Sequence, residues 1–373
     1  MMSQESLNEK NEENEKKRKN GKRTGKSTRG KRTRLQKEKQ FVRQHGNKVY
    51  TKHEDVSDNV AAFQQELEAL VGVDMSTKIR GLIRGDGIGS GIDGTVYRCS
   101  VPSIDGDYVV KEMQCGDDQE DYFDKLTDCM FELRTLIMLK DEPRVVPTLG
   151  GFISYNEGRI TFGIVMKRMS TTLAGFLENK KCLKLNEAAM IAIQLLEIAR
   201  LTLRQHFLHH DLHMQNILCD DQGTNLCVCD YGHVAAFGRN TVDVAPQWTW
   251  EVSDYPFSSA HAHYSRKHRT KNADESCDHY SIAVHILEVL HGFKHEVVAH
   301  FKHHEPARDV LLRTKACSRT SPSISLLGLP IRVLLKRCID AEAILPLNDL
   351  EEELTKLKNN DAAKAIEVNY RLS

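Results

Sequence analysis

The stretch His209-His210-Asp211-Leu212-His213-Met214-Gln215-Asn216-Ile217-Leu218, followed by Val228-Cys229-Asp230-Tyr231-Gly232, decides how this chain is read. Between its two parts lies a strand–turn–strand pattern. Asn216–Leu218 and Leu226–Cys229 are short strand-like runs, joined by Asp220-Asp221-Gln222-Gly223, a turn signal. Immediately upstream, Asn186–Gln205 is a long apolar helix by its spacing. Working outward, the front of the chain holds strand-like segments at Leu82–Ile88, Thr95–Cys99, Tyr108–Met113 and Arg159–Met166. Tyr122–Leu139 interrupts them as a helix, with Phe123, Leu126, Met130, Leu133 and Leu136 at 3/4 spacing. A leading helix is expected over Val60–Val71, and from Asp278 onward the pattern is mainly helical. Strands first and helices later indicate an α+β fold with a β-rich front lobe and a helical back lobe.

A second constellation precedes the first. Ile88-Gly89-Ser90-Gly91-Ile92-Asp93-Gly94-Thr95-Val96 matches G-x-G-x-x-G-x-V between two strands. Glycines there let backbone N–H groups approach phosphate oxygens. A tight hairpin would look the same, so the motif alone is weak. In a dinucleotide-binding turn a helix should follow, whereas here the β-branched run Thr95-Val96-Tyr97 does. One strand later comes Lys111, in Tyr108-Val109-Val110-Lys111. Its apolar neighbours Val109, Val110 and Met113 indicate a buried strand, and a buried lysine needs a partner. Glu132, on the following helix, is the candidate.

With these parts in order, the chain resembles the eukaryotic-type protein kinases. The H-R-D-L-x-x-x-N pattern is matched by His209, Asp211, Leu212 and Asn216, and D-F-G by Asp230, Tyr231 and Gly232. Lys111 is similar to the V-A-I-K lysine. Cys277-Asp278-His279-Tyr280-Ser281-Ile282-Ala283 resembles the D-x-W-S-x-G helix start, whose Asp braces the catalytic loop, and Leu334-Leu335-Lys336-Arg337-Cys338-Ile339-Asp340 resembles a late segment of the family. The likeness covers about residues 80–355. It implies a bilobal kinase fold and ATP and Mg2+ as cofactors. Asp211 would take the acceptor proton, with Lys111 and Glu132 completing the catalytic set and Asn216 and Asp230 holding the metal. Nucleotide contacts would come from residues 88–96, Lys111, Val96 and Val109 beside the adenine, and the hinge residues Met166 and Met169. Met166, at the gatekeeper position, is equally compatible with core packing. The divergent loops look similar to those of kinases encoded by large DNA viruses, such as herpesvirus-like ones.

Four departures from the family pattern stand out. His210 replaces the arginine of H-R-D, His213 replaces the usual lysine after Asp211, and Tyr231 replaces phenylalanine. No A-P-E follows Gly232; Ala245-Pro246-Gln247 is the nearest string, and Asp340–Pro346 lacks the arginine that would pair with its glutamate. Losing both members of a buried ion pair can be nearly neutral where losing one is costly, so the paired absence points to a remodelled substrate platform.

Composition fits a globular body with a charged tail. The 373 residues exceed one core, 40% are hydrophobic, and the formal net charge is zero. That zero is uneven: between Lys16 and Arg43 fourteen residues are Lys or Arg, against Glu38 alone. The expected partition is a disordered basic tail over 1–45, a leading helix and linker over 46–79, the front lobe over 80–167 and the back lobe over 168–373. The tail's Lys16-Lys17-Arg18-Lys19 and Lys31-Arg32-Thr33-Arg34 read as contacts for a nuclear-import receptor or nucleic acid, hence an intracellular, nuclear protein with cytoplasm as the alternative. No run reaches the length of a membrane span. The ten scattered cysteines read as reduced thiols. Two look-alikes fail. Gly21–Ser27 is one residue short of a Walker A loop and lacks a preceding strand. The histidines of His295-Glu296-Val297-Val298-Ala299-His300 are five apart rather than four. The expected activity is phosphoryl transfer to Ser/Thr of protein substrates, because Leu212-His213-Met214-Gln215 lacks a tyrosine-kinase signature. A pseudokinase scaffold and a small-molecule kinase are the alternatives.

Overall fold

The computed structural model describes residues 52–53, 55–91, 94–116, 122–205, 207–209, 211–236, 239–240, 272–273, 276–292, 331, 334 and 345–370. The basic tail (1–45), Ile92, Asp93, His210, the Ala245-Pro246-Gln247 string, residues 335–344 and the histidines from His295 to His304 lie outside the described residues.

Helix α1 (Val56–Val71) starts ahead of the expected Val60 because Asp55 caps it, its carboxylate accepting from the Ser57 N–H at 2.7 Å. Gly72, at φ +86°, turns the chain into α2 (Val73–Arg80). Then come β1 (Ile83–Ser90), β2 (Thr95–Val101), β3 (Ile104–Gly116), α3 (Tyr122–Met138), β4 (Thr148–Asn156) and β5 (Arg159–Lys167). The five strands form one antiparallel sheet in the order β1-β2-β3-β5-β4. Sequence reading missed β4, whose Gly150-Gly151 breaks the strand pattern. Both glycines are forced by close approach: a Cβ on Gly150 would lie 2.8 Å from Val71, and one on Gly151 2.7 Å from the Gly163 carbonyl.

The alternation of β3 sets up the site. Val110 points to the outer face, where it packs with Cys99, Val101, Val165 and Ile79 of α2. Its neighbours Val109, Lys111 and Met113 point the other way and are also buried, with Met113 Sδ 3.5 Å from Cys129 Sγ of α3. Thus α2 covers one face of the sheet and α3 the other. Helix α1 steadies α3 through Phe63 against Phe123, with ring centroids 5.6 Å apart, through Asn59 Nδ2 donating to the Tyr122 hydroxyl at 2.9 Å, and through the Arg134–Glu66 pair at 3.4 Å.

The back lobe follows in chain order as β6 (Thr171–Thr172), α4 (Leu173–Lys180), β7 (Cys182–Lys184), α5 (Leu185–Gln205), β8 (Phe207–Leu208), β9 (Ile217–Cys219), β10 (Leu226–Val228), β11 (Ala235–Ala236), β12 (Arg239–Asn240), β13 (Asn272–Ala273), α6 (Ser276–His291), α7 (Leu347–Asn359), α8 (Asp361–Ala365) and β14 (Glu367–Asn369). Helix α5 is its axis, with Leu185, Ala188, Ala189, Ala192, Leu195, Leu196 and Ala199 fully buried. Strands β9 and β10 pair in the expected hairpin, Leu226 opposite Cys219 and Val228 opposite Ile217. Asp220 closes its turn by accepting from the N–H groups of Gln222 and Thr224. No described helix is long and apolar enough to cross a membrane.

Candidate active site

The site is built from β3, α3, the loop before β9 and the residues after β10. Lys111, on the inner face of β3, is 8% exposed. Its Nζ donates to Glu132 Oε1 at 3.0 Å, Glu132 Oε2 at 3.1 Å and Asp230 Oδ1 at 2.9 Å. Burial alone would discharge this lysine. The two carboxylates outweigh burial and hold its ammonium well above the ordinary value. Asp230 sits in left-handed backbone, φ 63° and ψ 68°, a conformation costing roughly 1–3 kcal/mol for a non-glycine residue. In that conformation its carboxylate reaches the Lys111 ammonium.

The loop carrying Asp211 is held by hydrogen bonds at almost every residue. Asp278, fully buried at the start of α6, accepts from the His209 N–H at 2.7 Å. The His209 ring donates from Nε2 to the Cys229 carbonyl at 2.9 Å and accepts at Nδ1 from the Asp211 N–H at 3.3 Å. Asn216 Nδ2 donates to the Asp211 carbonyl at 3.0 Å and to its carboxylate at 3.1 Å. Its amide nitrogen is thereby committed, which leaves Oδ1 as the acceptor. His213 accepts at Nδ1 from the Gln215 N–H, so its Nε2 carries the hydrogen, 3.5 Å from Asp211 Oδ2.

Burial of the neutral His209 ring pushes its pKa down to about 4. In the unfolded chain it titrates near 6.5, so between these values the unfolded state binds the extra proton. Stability should therefore fall as pH drops from about 6.5 towards 4, by up to about 3 kcal/mol from this group. Urea melts at pH 7.5, 6 and 5 measure the slope, and His209→Gln should flatten it. An equal slope in both proteins would exclude the assignment.

Tyr231 is 1% exposed, edge-on to the His209 ring at 4.8 Å, and its hydroxyl has no hydrogen-bond partner among the described residues. A buried hydroxyl left unpaired costs about 1–3 kcal/mol. Tyr231→Phe should thus stabilise the fold by about 1–2 kcal/mol, read as a higher denaturation midpoint. A lower midpoint would mean that the hydroxyl has found a partner.

The glycine loop joins β1 to β2, with Ser90 opposite Thr95 and the Gly91 N–H bonded to the Gly94 carbonyl at 2.8 Å. Gly94 is required by packing, since a Cβ there would fall 2.4 Å from the Glu112 carbonyl. At Gly89 and Gly91 an added Cβ would meet nothing within 4 Å among the described residues. The fold itself does not require glycine at those two positions, which suits a backbone left open to a ligand. Ile88 is 46% exposed on the same strand, and Thr95 and Val96 are half-buried on β2. Val109 and Met166 face each other across β3 and β5, 8% and 6% exposed, with half-buried Met169 just beyond. The hinge is tied down by the Lys167 N–H to Pro147 O and the Arg168 N–H to Asp107 O.

The structure therefore brings together Lys111, Glu132, Asp211, Asn216 and Asp230, and places Val96, Val109, Met166 and Met169 on the elements that frame the cleft. Sequence reading missed His285 and Glu288 of α6, both buried behind the Asp211 loop. The available signal was two ionisable residues three apart within the apolar run Ile282–Leu290.

Comparison with known proteins agrees with this geometry. The protein kinase domain family model matches residues 82–342. The kinase PK-1 of Cydia pomonella granulovirus superposes with a TM-score of 0.50 at 16% identity, covering 75% of this chain and 96% of that one. A search of curated proteins found no match.

Proposed function

The chain belongs to the protein kinase family, and from that premise we propose that it transfers the γ-phosphoryl group of ATP to serine or threonine hydroxyls of protein substrates, with Mg2+ as the metal. The observation that carries the proposal is the Lys111 ammonium bonded at once to Glu132 and Asp230, with Asn216 bonded to Asp211 in the facing loop. Phosphoryl transfer asks for positioning and charge neutralisation rather than a covalent intermediate, and every charge role is filled.

In this reading Asp211 accepts the proton of the acceptor hydroxyl, oriented by Asn216 and by its backbone bonds. Lys111 neutralises the nucleotide phosphates, and the open backbone at Gly89 and Gly91 covers them. His213 presents an N–H towards the Asp211 carboxylate, where it can meet the phosphoryl oxygens. Asn216 Oδ1 and the Asp230 carboxylate are oxygen donors of the kind a small hard dication takes. When bound there, Mg2+ neutralises charge that develops on the phosphates. The serine/threonine preference rests on the Leu212–Gln215 loop, which lacks a tyrosine-kinase signature.

The test is transfer from labelled ATP with Mg2+ to a generic basic protein, followed by phosphoamino-acid analysis. Label on serine or threonine supports the proposal. Nucleotide binding without transfer would favour a scaffold instead, and label on small molecules alone would favour a small-molecule kinase. The basic tail supports a further placement, in the nucleus through an import receptor. Deleting residues 1–45 should abolish nuclear accumulation of a fluorescent fusion; an unchanged distribution would count against it.

A further inference from the structure

Helix α6 touches the Asp211 loop at two points. Asp278 accepts from the His209 N–H at 2.7 Å. His285, two turns later, meets the Leu212 carbonyl through Nε2 at 3.1 Å. The spacing fits on both sides. Seven residues of helix rise about 10.5 Å, and three residues of extended chain span about 10 Å. One helix face therefore grips the loop on either side of Asp211.

The chemistry of the second grip is specific. A carbonyl can only accept, so His285 Nε2 must carry a hydrogen. His285 Nδ1 lies 2.9 Å from Glu288 Oε2. His285 is fully buried and Glu288 is 5% exposed. Burial pushes the Glu288 carboxyl above its ordinary value, while the bond to His285 pulls it down. The shared proton sits either on the carboxyl, donated to Nδ1, or on Nδ1, donated to the carboxylate. In both arrangements Nε2 keeps its hydrogen. Glu288 thus fixes the ring so that one donor always faces Leu212.

This orientation also explains why two polar residues occupy the otherwise apolar run Ile282–Leu290 of the helix. Ile282, Ala283, Val284, Ile286, Val289 and Leu290 around them are all buried. An apolar residue at 285 would pack there with no electrostatic cost, but would leave the Leu212 carbonyl without this donor.

Resting on the kinase reading, we infer that His285 and Glu288 are positioning residues for phosphoryl transfer, holding the Leu212–His213 peptide, the second after Asp211, so that the Asp211 carboxylate points at the acceptor. The neighbouring peptide is held independently: Asn216 bonds the Asp211 carbonyl, and the His209 ring bonds the Asp211 N–H. Losing His285 therefore frees one side of the loop without dismantling it. Misplacement by a fraction of an ångström lowers kcat more than nucleotide affinity.

The experiment uses the full chain and compares wild type with His285→Leu, His285→Gln and Glu288→Leu. His285→Leu should lower kcat roughly 10- to 100-fold with KM for ATP within about twofold. His285→Gln, which retains an amide donor near the Nε2 position, should recover most of that loss. Glu288→Leu should fall in the same direction by a smaller factor. Amide hydrogen exchange of the peptide 211–218 should quicken in His285→Leu. An unchanged kcat, equal losses in the Leu and Gln variants, or unchanged exchange would each overturn the inference. Where His285→Leu does not melt cooperatively, Glu288→Leu against wild type gives the same readings. If wild type transfers no phosphate, the kinase reading fails, and the exchange comparison still decides whether His285 holds the loop.

Discussion

Replacing Asp211 with asparagine should reduce phosphoryl transfer by about 10²- to 10⁴-fold and leave the fold intact, the range expected for losing a general base. The substitution is nearly isosteric. The bonds that hold the loop run through the backbone of residue 211, from the His209 ring to its N–H and from Asn216 to its carbonyl, and both survive. What disappears is the negative charge that, in the proposed mechanism, takes the acceptor proton. Nucleotide affinity and the denaturation midpoint should therefore stay close to wild type while the rate collapses. Single-turnover transfer with saturating ATP separates these quantities. Equal rates in the two proteins would remove Asp211 from the mechanism.

Lys111→Met has the second large effect, and it acts on stability as well as rate. The ammonium is the shared partner of Glu132, itself 4% exposed, and of Asp230. Methionine matches the length of the side chain but leaves both carboxylates facing each other without the cation. Breaking one partner out of a buried ion pair costs about 3–5 kcal/mol, so the denaturation midpoint should drop markedly. Transfer should fall about 10²- to 10³-fold, as for other losses of a positioned cation at a reacting phosphate. The double variant Lys111→Met/Glu132→Leu should regain part of the stability, because it removes a buried charge along with its partner. It should regain none of the activity. A double variant no more stable than the single one would show that Glu132 finds other compensation.

These two predictions separate the parts of the site that the sequence carried openly from those it did not. Asp211, Asn216 and Asp230 stood out as candidates because phosphoryl transfer restricts which residue types can fill the proposed roles at that spacing, and a short hairpin fixes the distance between them. Lys111 and Glu132 were legible as a pair because a lysine between apolar residues needs a carboxylate, and the next helix offered one. The glycine loop was legible as a pattern. Only the coordinates distinguish Gly94, demanded by the Glu112 carbonyl, from Gly89 and Gly91, where the fold leaves open space. Strand β4 was hidden because its two glycines lack strand propensity, although they are where Val71 and the Gly163 carbonyl approach most closely. The second leading helix was hidden as well, since α2 is short and its buried residue Ile79 gains its role only by covering the outer face of the sheet.

The α+β order of elements and the hairpin after the Asp211 loop could be read from the chain alone, because local periodicity and turn chemistry restrict few residues at fixed spacing; the same reading singled out the charged candidates. Tertiary structure alone decided what holds those groups. That Lys111 bridges two carboxylates 21 and 119 residues away, that Asp278 and His285 grip the same loop from one helix, and that the Tyr231 hydroxyl is buried without a partner among the described residues are long-range facts. They arise from packing between segments distant in the chain, and no local pattern encodes which segments will meet.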